Sequence, residues 1–146
     1  MFIFLRWFRY RRCLALLDPS AKNLLDVGCG DGAFVEIARS RGLDAVGINE
    51  EDDIVSTQKA ADIVTCFEVL EHVPDPVRAM ANLKNLYRRQ LIVTIPNEPL
   101  FSLWRLGWEP EHLWALTPAA LKHHLGPPVH EEKLVLGRYY LAVWRR

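Results

Sequence analysis

The stretch at residues 24–34, Leu-Leu-Asp-Val-Gly-Cys-Gly-Asp-Gly-Ala-Phe, most constrains what this chain can fold into. An apolar run leads directly into three glycines at alternate positions, and a helix-forming run follows. Glycine adopts backbone conformations that other residues avoid, and it lets other groups approach the main chain closely. The pattern therefore predicts a buried strand, a sharp turn and a helix, which is the opening unit of a parallel α/β sheet.

The same turn predicts a binding crevice. A helix that begins after Gly32 presents free N–H groups and the positive end of its dipole, and Asp26 adds a carboxylate nearby. This crevice suits a ligand with both a carboxylate and an ammonium group. The dinucleotide fingerprint has two residues between its second and third glycines, whereas one separates Gly30 from Gly32 here. The spacing favours S-adenosylmethionine, and a glycine-rich turn of another α/β protein is the plainer alternative.

Size and composition point to one neutral domain. The chain has 146 residues, with 18 basic and 18 acidic side chains. We expect residues 1–146 to form a single domain, with an N-terminal helix at 1–20 and a long loop at 97–116. A neutral chain offers no general attraction for nucleic acid. The three cysteines lack metal-ligand spacing, and we expect a cytoplasmic location.

Alternating apolar strands and helices follow the glycine turn. We predict strands at 23–27, 44–48, 62–67 and 90–95, helices at 31–41, 77–87 and 118–125, and a closing antiparallel hairpin of 133–136 and 139–144. The segment between Ile48 and Asp62 is too short for the helix, strand and second helix of a full doubly wound domain. We therefore expect a sheet trimmed at one edge, whose unpaired backbone groups make a homodimer possible.

The first twelve residues are aromatic and basic, with four arginines. A segment of this kind is able to lie on a membrane surface or to contact phosphates. The interpretation that we favour is a first helix whose arginines face water and whose apolar side chains pack onto the sheet, namely Phe4, Leu5, Phe8 and Leu14. The segment thus makes no strong case for a membrane or nucleic-acid partner.

Three segments occur in the order and spacing of one enzyme family. Residues 26–32, Asp-x-Gly-x-Gly-x-Gly, resemble motif I of the class I S-adenosylmethionine-dependent methyltransferases, and residues 61–76 resemble their motif IV. The run at 91–97 and the Glu-His-Leu at 111–113 complete the likeness, which covers about residues 22–125. The branch it resembles is that of the ubiquinone-biosynthesis O-methyltransferases. The resemblance implies a Rossmann-like, mostly parallel sheet flanked by helices, with the third family strand missing or vestigial.

The resemblance also implies a cofactor site for S-adenosyl-L-methionine. Its methionine part would be cradled by Asp26, Gly28, Gly30 and Gly32, with backbone contacts from Cys29 and Asp31. The ribose would face Asn49 and Glu50, and the sulfonium side would be flanked by Phe67 and Glu68. Asn49 stands where the family usually carries an acid. Either Glu50 substitutes for it or ribose binding is weakened.

Two histidines are hypothetical catalytic bases, because imidazole titrates in the useful range. We predict His72 first and His112 second, and purely structural roles are the alternatives. A helical turn over Glu68, Glu71 and His72 would cluster oxygen ligands for Mg²⁺, although we favour no metal site. The loop at 97–116 carries three tryptophans, which are typical either of an apolar wall around an acceptor or of a hydrophobic anchor.

Three functions remain open from the sequence. The leading hypothesis is a methyltransferase that acts on a small-molecule acceptor. The second is a trimmed, non-catalytic methyltransferase-like module that binds the cofactor weakly or not at all and serves as a partner subunit. Asn49 and the missing strand favour it. Methylation of RNA or protein is the third, and the neutral chain speaks against RNA.

Overall fold

The computed structural model describes residues 2–49, 51–97 and 115–146, with the backbone alone at 2, 3 and 51–53. The helices are α1 (Phe2–Leu16), α2 (Ala33–Ser40), α3 (Glu51–Ser56), α4 (Pro76–Leu86) and α5 (Pro118–Leu125). The strands are β1 (Asn23–Val27), β2 (Asp44–Ile48), β3 (Ala61–Phe67), β4 (Tyr87–Pro96), β5 (His130–Leu134) and β6 (Tyr139–Arg145). The predicted order of elements is confirmed, and the boundaries differ by a few residues.

The described strands form one sheet in the order β2-β1-β3-β4-β6-β5. The first four are parallel to one another, whereas β6 runs antiparallel to β4 and β5 antiparallel to β6. The predicted Rossmann-like architecture with a closing hairpin is thus confirmed. We call the edge at which the four parallel strands end the carboxyl edge. In open α/β sheets, ligands bind in the crevice along that edge.

The trimmed sheet is confirmed for the part of the chain that the structure describes. Between Ile48 and Ala61 that part holds only the short helix α3, so β2 is the outer strand of the sheet. Pairing of this edge with a second copy of the chain stays a prediction.

The sheet separates two apolar layers. On one face α1 and α2 pack through side chains that include Tyr10, Cys13 and Phe34. On the other face α3, α4 and α5 pack through a set that includes Ile54, Leu83 and Leu121. The side chains of β4 are buried from Gln90 to Ile95, as expected for a central strand that is covered on both faces.

Local signals in the sequence account for several helix ends. The Asp75 side chain accepts a hydrogen bond from the N–H of Arg78 at the start of α4, where Pro76 occupies the first turn. Thr117 caps α5 in the same way, ahead of Pro118. The residues that follow these caps place apolar side chains at helical spacing, and burial of that stripe holds each helix on the sheet.

Helix α1 differs from the prediction. Its inner face is formed by Arg9, Tyr10, Cys13 and Leu14, while Phe4 and Phe8 are 72% and 58% exposed. The expected packing of Phe4 and Phe8 onto the sheet was therefore wrong. Residues 9 and 13 share one face of the helix, and this face packs on the sheet. Residues 4 and 8 lie on the opposite face and therefore point to solvent.

Arginines fasten α1 to three other parts of the molecule. Arg6 Nη1 donates to Asp31 Oδ2 at 2.8 Å, Arg9 Nη1 lies 3.8 Å from Glu68 Oε1, and Arg12 Nε donates to Glu132 Oε1 at 2.6 Å. At the other end of α1, Gln90 at the start of the buried part of β4 donates to the carbonyl of Leu16. The helix therefore begins beside the carboxyl edge and ends beside the opposite edge. None of the described helices is both long enough and apolar enough to span a bilayer.

Candidate functional site

A cavity of about 220 Å³ opens at the carboxyl edge, between the turn after β1 and the turn after β3. Its wall is formed by parts of both turns and by the segment after β2, namely Gly28, Asn49, Ile54, Glu68, Val69, His72 and Val73. Four of the residues predicted for the site thus meet here: Gly28, Asn49, Glu68 and His72. The parallel register places the ends of β1, β2 and β3 side by side, and this is why residues far apart in sequence converge.

The conformation of the first turn, residues 28–32, depends on its glycines and on backbone hydrogen bonds to β2. Gly28, Gly30 and Gly32 have φ angles of 78°, 55° and 75°, a region in which residues with a Cβ are strained. The N–H groups of Gly28 and Cys29 both donate to the carbonyl oxygen of Ile48. The predicted contact of the Cys29 backbone with a cofactor therefore competes with this hydrogen bond to β2.

Close packing adds a second constraint on the first turn. A Cβ added to Gly28 would lie 2.2 Å from Cγ2 of Val69 in the second turn. A Cβ at Gly47 in β2 would lie 2.5 Å from the Cys29 Sγ. Both distances are far shorter than a van der Waals contact, so glycine is required at these points by packing. The cavity wall is therefore a place where two turns touch directly.

Asn49 closes the first turn from outside. Its Oδ1 accepts a hydrogen bond from the N–H of Gly30 at 3.1 Å, and its Nδ2 donates to the carbonyl of Gly30 at 3.3 Å. A carboxylate at this position would accept from the N–H but would not donate to the carbonyl. The amide that replaces the usual family acid therefore has a structural use, and its predicted role toward a ribose stays a prediction.

The second turn, residues 68–73, depends on contacts with distant residues. Glu68 has a φ of 55° although it is not glycine, and its N–H donates to the carbonyl of Thr94 in β4. Its carboxylate is largely buried and lies 3.8 Å from the guanidinium of Arg9. The Arg9 guanidinium also lies 5.2 Å from the ring of Tyr139. A conformation that glycine would favour is thus occupied by an acid that α1 and β4 hold in place.

Arg9 is a site residue that the sequence analysis missed. The chain offers four arginines in α1, and residue type alone does not distinguish the inward-facing one from the others. The available signal was the position of Arg9 relative to the buried residues Tyr10 and Cys13. Arg9 directly precedes Tyr10 and lies four residues, about one helical turn, before Cys13. A helix docked through those residues necessarily points position 9 at the sheet.

Asp26 is buried and is absent from the cavity wall. Its Oδ1 accepts a 2.7 Å hydrogen bond from the hydroxyl of Thr65 in β3. Burial raises the pKa of the Asp26 carboxyl to about 7, although the Thr65 hydroxyl and the positive charge of Arg9 both oppose this rise. The carboxyl therefore changes charge near neutral pH, as groups at functional sites often do.

His72 lies on the cavity wall with its side chain about one-third exposed, and its Nε2 is 3.9 Å from Oε1 of the buried Glu71. The segment around it is a turn, closed by a hydrogen bond from the N–H of His72 to the carbonyl of Val69. The helical clustering considered for a Mg²⁺ site is therefore wrong for Glu68, Glu71 and His72. Across the described residues no group of three side chains is arranged to hold a metal.

Two other predicted residues have different surroundings. Asp31 is exposed, and the hydrogen bond from Arg6 is the main cause of its lowered pKa; a backbone N–H, that of Ala33, adds to it. Phe67 is buried on the α1 face of the sheet, where its ring packs against Phe34 and Tyr10. Neither side chain contributes to the cavity wall. The predicted Glu50, His112 and most of the loop at 97–116 lie outside the described residues.

The wall of the cavity fits the parts of S-adenosylmethionine. One side is apolar and suits a flat ring, and it is formed by Ile54, Val69 and Val73. The other side offers the carboxylate of Glu68, an acceptor for hydroxyl and ammonium groups, and the amide of Asn49, whose oxygen also accepts from the N–H of Gly30. Gly30 and Gly32 leave open space at the turn, because an added Cβ would meet no atom within 4 Å.

Sequence comparisons agree with this geometry. A sequence model of the methyltransferase domain family matches residues 2–126. The ubiquinone biosynthesis O-methyltransferase of Aeromonas salmonicida is 30% identical over 70% of this chain and 55% of that protein. The enzyme of the same name from Xanthomonas axonopodis is 29% identical over 75% of this chain and 58% of that protein. The chain thus spans just over half the length of these curated relatives.

Solved structures show the same fold. A SAM-dependent methyltransferase from Archaeoglobus fulgidus superposes with a TM-score of 0.69 at 20% identity, and the match covers 99% of both chains. The N-methyltransferase NodS from Bradyrhizobium japonicum, in complex with S-adenosyl-L-homocysteine, gives a TM-score of 0.63 at 20% identity over 94% of this chain and 85% of that one. At these identities the likeness establishes the fold alone.

Proposed function

The chain belongs to the methyltransferase domain family, and on that premise we propose that it transfers a methyl group from S-adenosylmethionine to a hydroxyl of a small aromatic acceptor. The observation that carries the proposal is the cavity at the carboxyl edge, where Gly28, Asn49, Glu68 and His72 meet. The ubiquinone-biosynthesis relatives, named as O-methyltransferases, support oxygen as the methylated atom and an acceptor of the ubiquinone type.

Each turn has its own part in holding the cofactor. The first turn leaves open space at Gly30 and Gly32 through which a ligand would approach the main chain, and Asn49 keeps Gly30 in position. In the second turn the Glu68 carboxylate supplies the negative charge that a cationic ligand requires. S-adenosylmethionine, when bound, supplies an activated methyl group. Alignment of the acceptor is then the main task of the protein, and positioning contributes up to ~7–11 kcal/mol to such reactions.

His72 is the residue that we propose as general base. An acceptor hydroxyl must lose its proton as the methyl group is transferred, and an imidazole on the cavity wall is placed to take it. The carboxylate of Glu71 lies 3.9 Å from the ring Nε2 and would orient the imidazole. His112 stays a prediction as a second base.

A non-catalytic, cofactor-binding module is the second function that specific observations favour. Asn49 uses both the oxygen and the nitrogen of its amide on Gly30, and the described residues between β2 and β3 hold no counterpart of the third family strand. Both features reduce the contacts expected for the adenosine part of the cofactor. A methyl-transfer assay distinguishes the two functions, because only the enzyme transfers the methyl group to an acceptor.

Titration calorimetry with S-adenosylhomocysteine tests the site. We expect binding in the micromolar range, and Glu68→Gln should weaken it at least tenfold because the negative charge is lost. Glu36→Gln is the matched control, since Glu36 is exposed on α2 and pairs with Arg39. An absence of binding at millimolar ligand would overturn the proposed function together with the cofactor-binding alternative.

Transfer of a labelled methyl group from S-adenosylmethionine to catechol tests the reaction. We expect His72→Ala to lower the rate at least 100-fold, the low end for loss of a general base, with S-adenosylhomocysteine affinity within threefold of the wild type. His124→Ala on α5 is the control and should leave the rate unchanged. An unaltered rate in His72→Ala would refute the assignment of His72 as base, and binding without any transfer would favour the non-catalytic module.

A further inference from the structure

Two apolar projections lie close together at the carboxyl edge. One is the first half of α1, which Arg6 and Arg9 tie to the turns after β1 and β3. The other is the hairpin tip, residues 135–138, which Asn97 at the end of β4 holds through hydrogen bonds to Gly137 and Arg138. The Arg9 guanidinium lies 5.2 Å from the ring centre of Tyr139, the first residue after the tip, and so links the two projections.

Large apolar side chains on these projections face solvent. Phe4, Trp7 and Phe8 are 72%, 48% and 58% exposed, and their spacing of three and four residues places them on one face of α1. Leu136 is fully exposed at the hairpin tip. Val135 and Leu136 both have positive φ angles, of 51° and 56°, which side chains of their size rarely adopt. The chain thus keeps strained backbone where it presents an apolar side chain to the outside.

Positive charge accompanies this apolar surface. Arg11 follows Trp7 and Phe8 on the exposed face of α1, and Arg138 is exposed beside Leu136. Neither makes an ion pair with another residue in the described part of the chain, unlike Arg6, Arg9 and Arg12. α1 carries no acidic side chain. Exposed aromatic rings with nearby unpaired arginines are typical of helices that lie in the headgroup layer of a membrane.

We propose that this docking edge, formed by Phe4, Trp7, Phe8, Arg11, Leu136 and Arg138, binds an anionic phospholipid surface. The rings and Leu136 enter the boundary between headgroups and acyl chains, and the two arginines contact lipid phosphates. Charge complementarity selects an anionic lipid over a zwitterionic one. The proposal goes beyond methyl transfer and does not depend on it.

Co-sedimentation of the full chain with phospholipid vesicles tests the docking edge. We expect binding to vesicles of phosphatidylcholine and phosphatidylglycerol in a 7:3 ratio, and at least tenfold weaker binding to phosphatidylcholine alone. Phe4→Ser/Phe8→Ser should weaken binding to the anionic vesicles at least tenfold, because the transfer of two aromatic rings from water into the bilayer no longer contributes. Val46→Ser/Val129→Ser is the matched control, since these exposed valines lie on β2 and before β5, and it should bind as the wild type does.

Two further variants separate the apolar and charged contributions. Leu136→Ser should weaken binding about threefold to fivefold, because a single aliphatic side chain is lost. Arg11→Glu/Arg138→Glu should weaken it at least tenfold at low salt and remove most of its dependence on ionic strength. Circular dichroism and S-adenosylhomocysteine titration of each variant confirm that the fold is retained.

Three results would overturn the proposal. The first is a wild type that stays in the supernatant with anionic vesicles. The second is a wild-type dimer, detected by light scattering, that Phe4→Ser/Phe8→Ser dissociates, since a second copy would then be the occupant. The third is unchanged lipid binding in all the docking-edge variants. Lipid binding by a protein that does not bind S-adenosylhomocysteine would support the docking edge while overturning the proposed function.

Discussion

The two turns that form the cavity are built on opposite principles. The turn after β1 has glycine at each of its three positive-φ positions, and backbone hydrogen bonds to Ile48 together with Asn49 hold it. The turn after β3 begins with Glu68, which has the same sign of φ without being glycine. This residue is held by Arg9 from α1 and by the carbonyl of Thr94 from β4.

The difference shows how two kinds of constraint produce one site. A turn that relies on glycine forms from local backbone preference, so it can be predicted from the sequence. The second turn relies on the ion pair between Glu68 and Arg9, which lie 59 residues apart in the sequence. It therefore forms only once α1 has docked. The second turn is therefore the more sensitive to distant substitutions.

Asp26, two residues before the first turn, offers the test with the largest expected effect, because its pKa differs strongly between the folded and the unfolded chain. Its pKa is about 7 in the folded chain, against an ordinary value of 3.8. Between these two values the folded state holds the extra proton, so the free energy of unfolding falls as the pH rises, by about 4 kcal/mol in all. Above pH ~7 the curve flattens because both states are ionised.

Asp26→Asn should abolish this fall between pH 4 and 7, since an amide does not titrate and its oxygen still accepts from Thr65. Urea unfolding at several pH values measures the effect, with the exposed Asp44→Asn as control. Equal slopes for the wild type and Asp26→Asn would mean that burial of Asp26 does not govern the pH dependence.

Gly28→Ala tests the contact between the two turns. The new Cβ would lie 2.2 Å from Val69 at a φ of 78°, so we expect a loss of about 3 kcal/mol from overpacking and backbone strain together. Thermal unfolding and S-adenosylhomocysteine titration measure it. Gly30→Ala, which meets no atom within 4 Å, should cost about 1 kcal/mol from strain alone.

The double variant Gly28→Ala/Val69→Ala sharpens this test. Removal of the Val69 methyl groups relieves the clash and should recover part of the lost stability. If it recovers none, the two turns do not pack as described, and the strain at Gly28 is confined to the first turn.

Arg9→Met compares the supports of the two turns. It removes the guanidinium that lies 3.8 Å from the largely buried Glu68 carboxylate, and we expect a loss of about 2 kcal/mol, below the ~3–5 kcal/mol of a fully buried pair. Arg6→Met removes the exposed pair with Asp31 in the first turn and should cost less than about 1 kcal/mol. Chemical denaturation measures both, and Arg9→Met/Glu68→Gln should regain most of the loss. Similar losses for the two single variants would contradict the contrast between the turns.

Much of the cavity followed from the sequence because strand ends and glycines carry local signals. The strands at Asn23–Val27 and Asp44–Ile48 and the helix at Pro118–Leu125 were predicted with the bounds that the structure has. The side chains were less predictable. Phe67 and Glu68 are adjacent and were given one role, yet Phe67 joins the aromatic layer under α1 while Glu68 reaches the cavity. Neighbouring side chains along a strand point to opposite faces of the sheet. The sequence periodicity alone does not say which of the two faces borders the cavity.

The sequence by itself determined the order of strands and helices, the glycine turn, the trimmed edge of the sheet and the family. These features rest on local backbone preferences and on apolar periodicity, which act between near neighbours in the chain. The tertiary structure decided the inward turn of Arg9, the exposure of Phe4 and Phe8, and the use of the Asn49 amide on Gly30. Each of these depends on which of several similar side chains packs against a distant element, and that choice is made only when the layers come together.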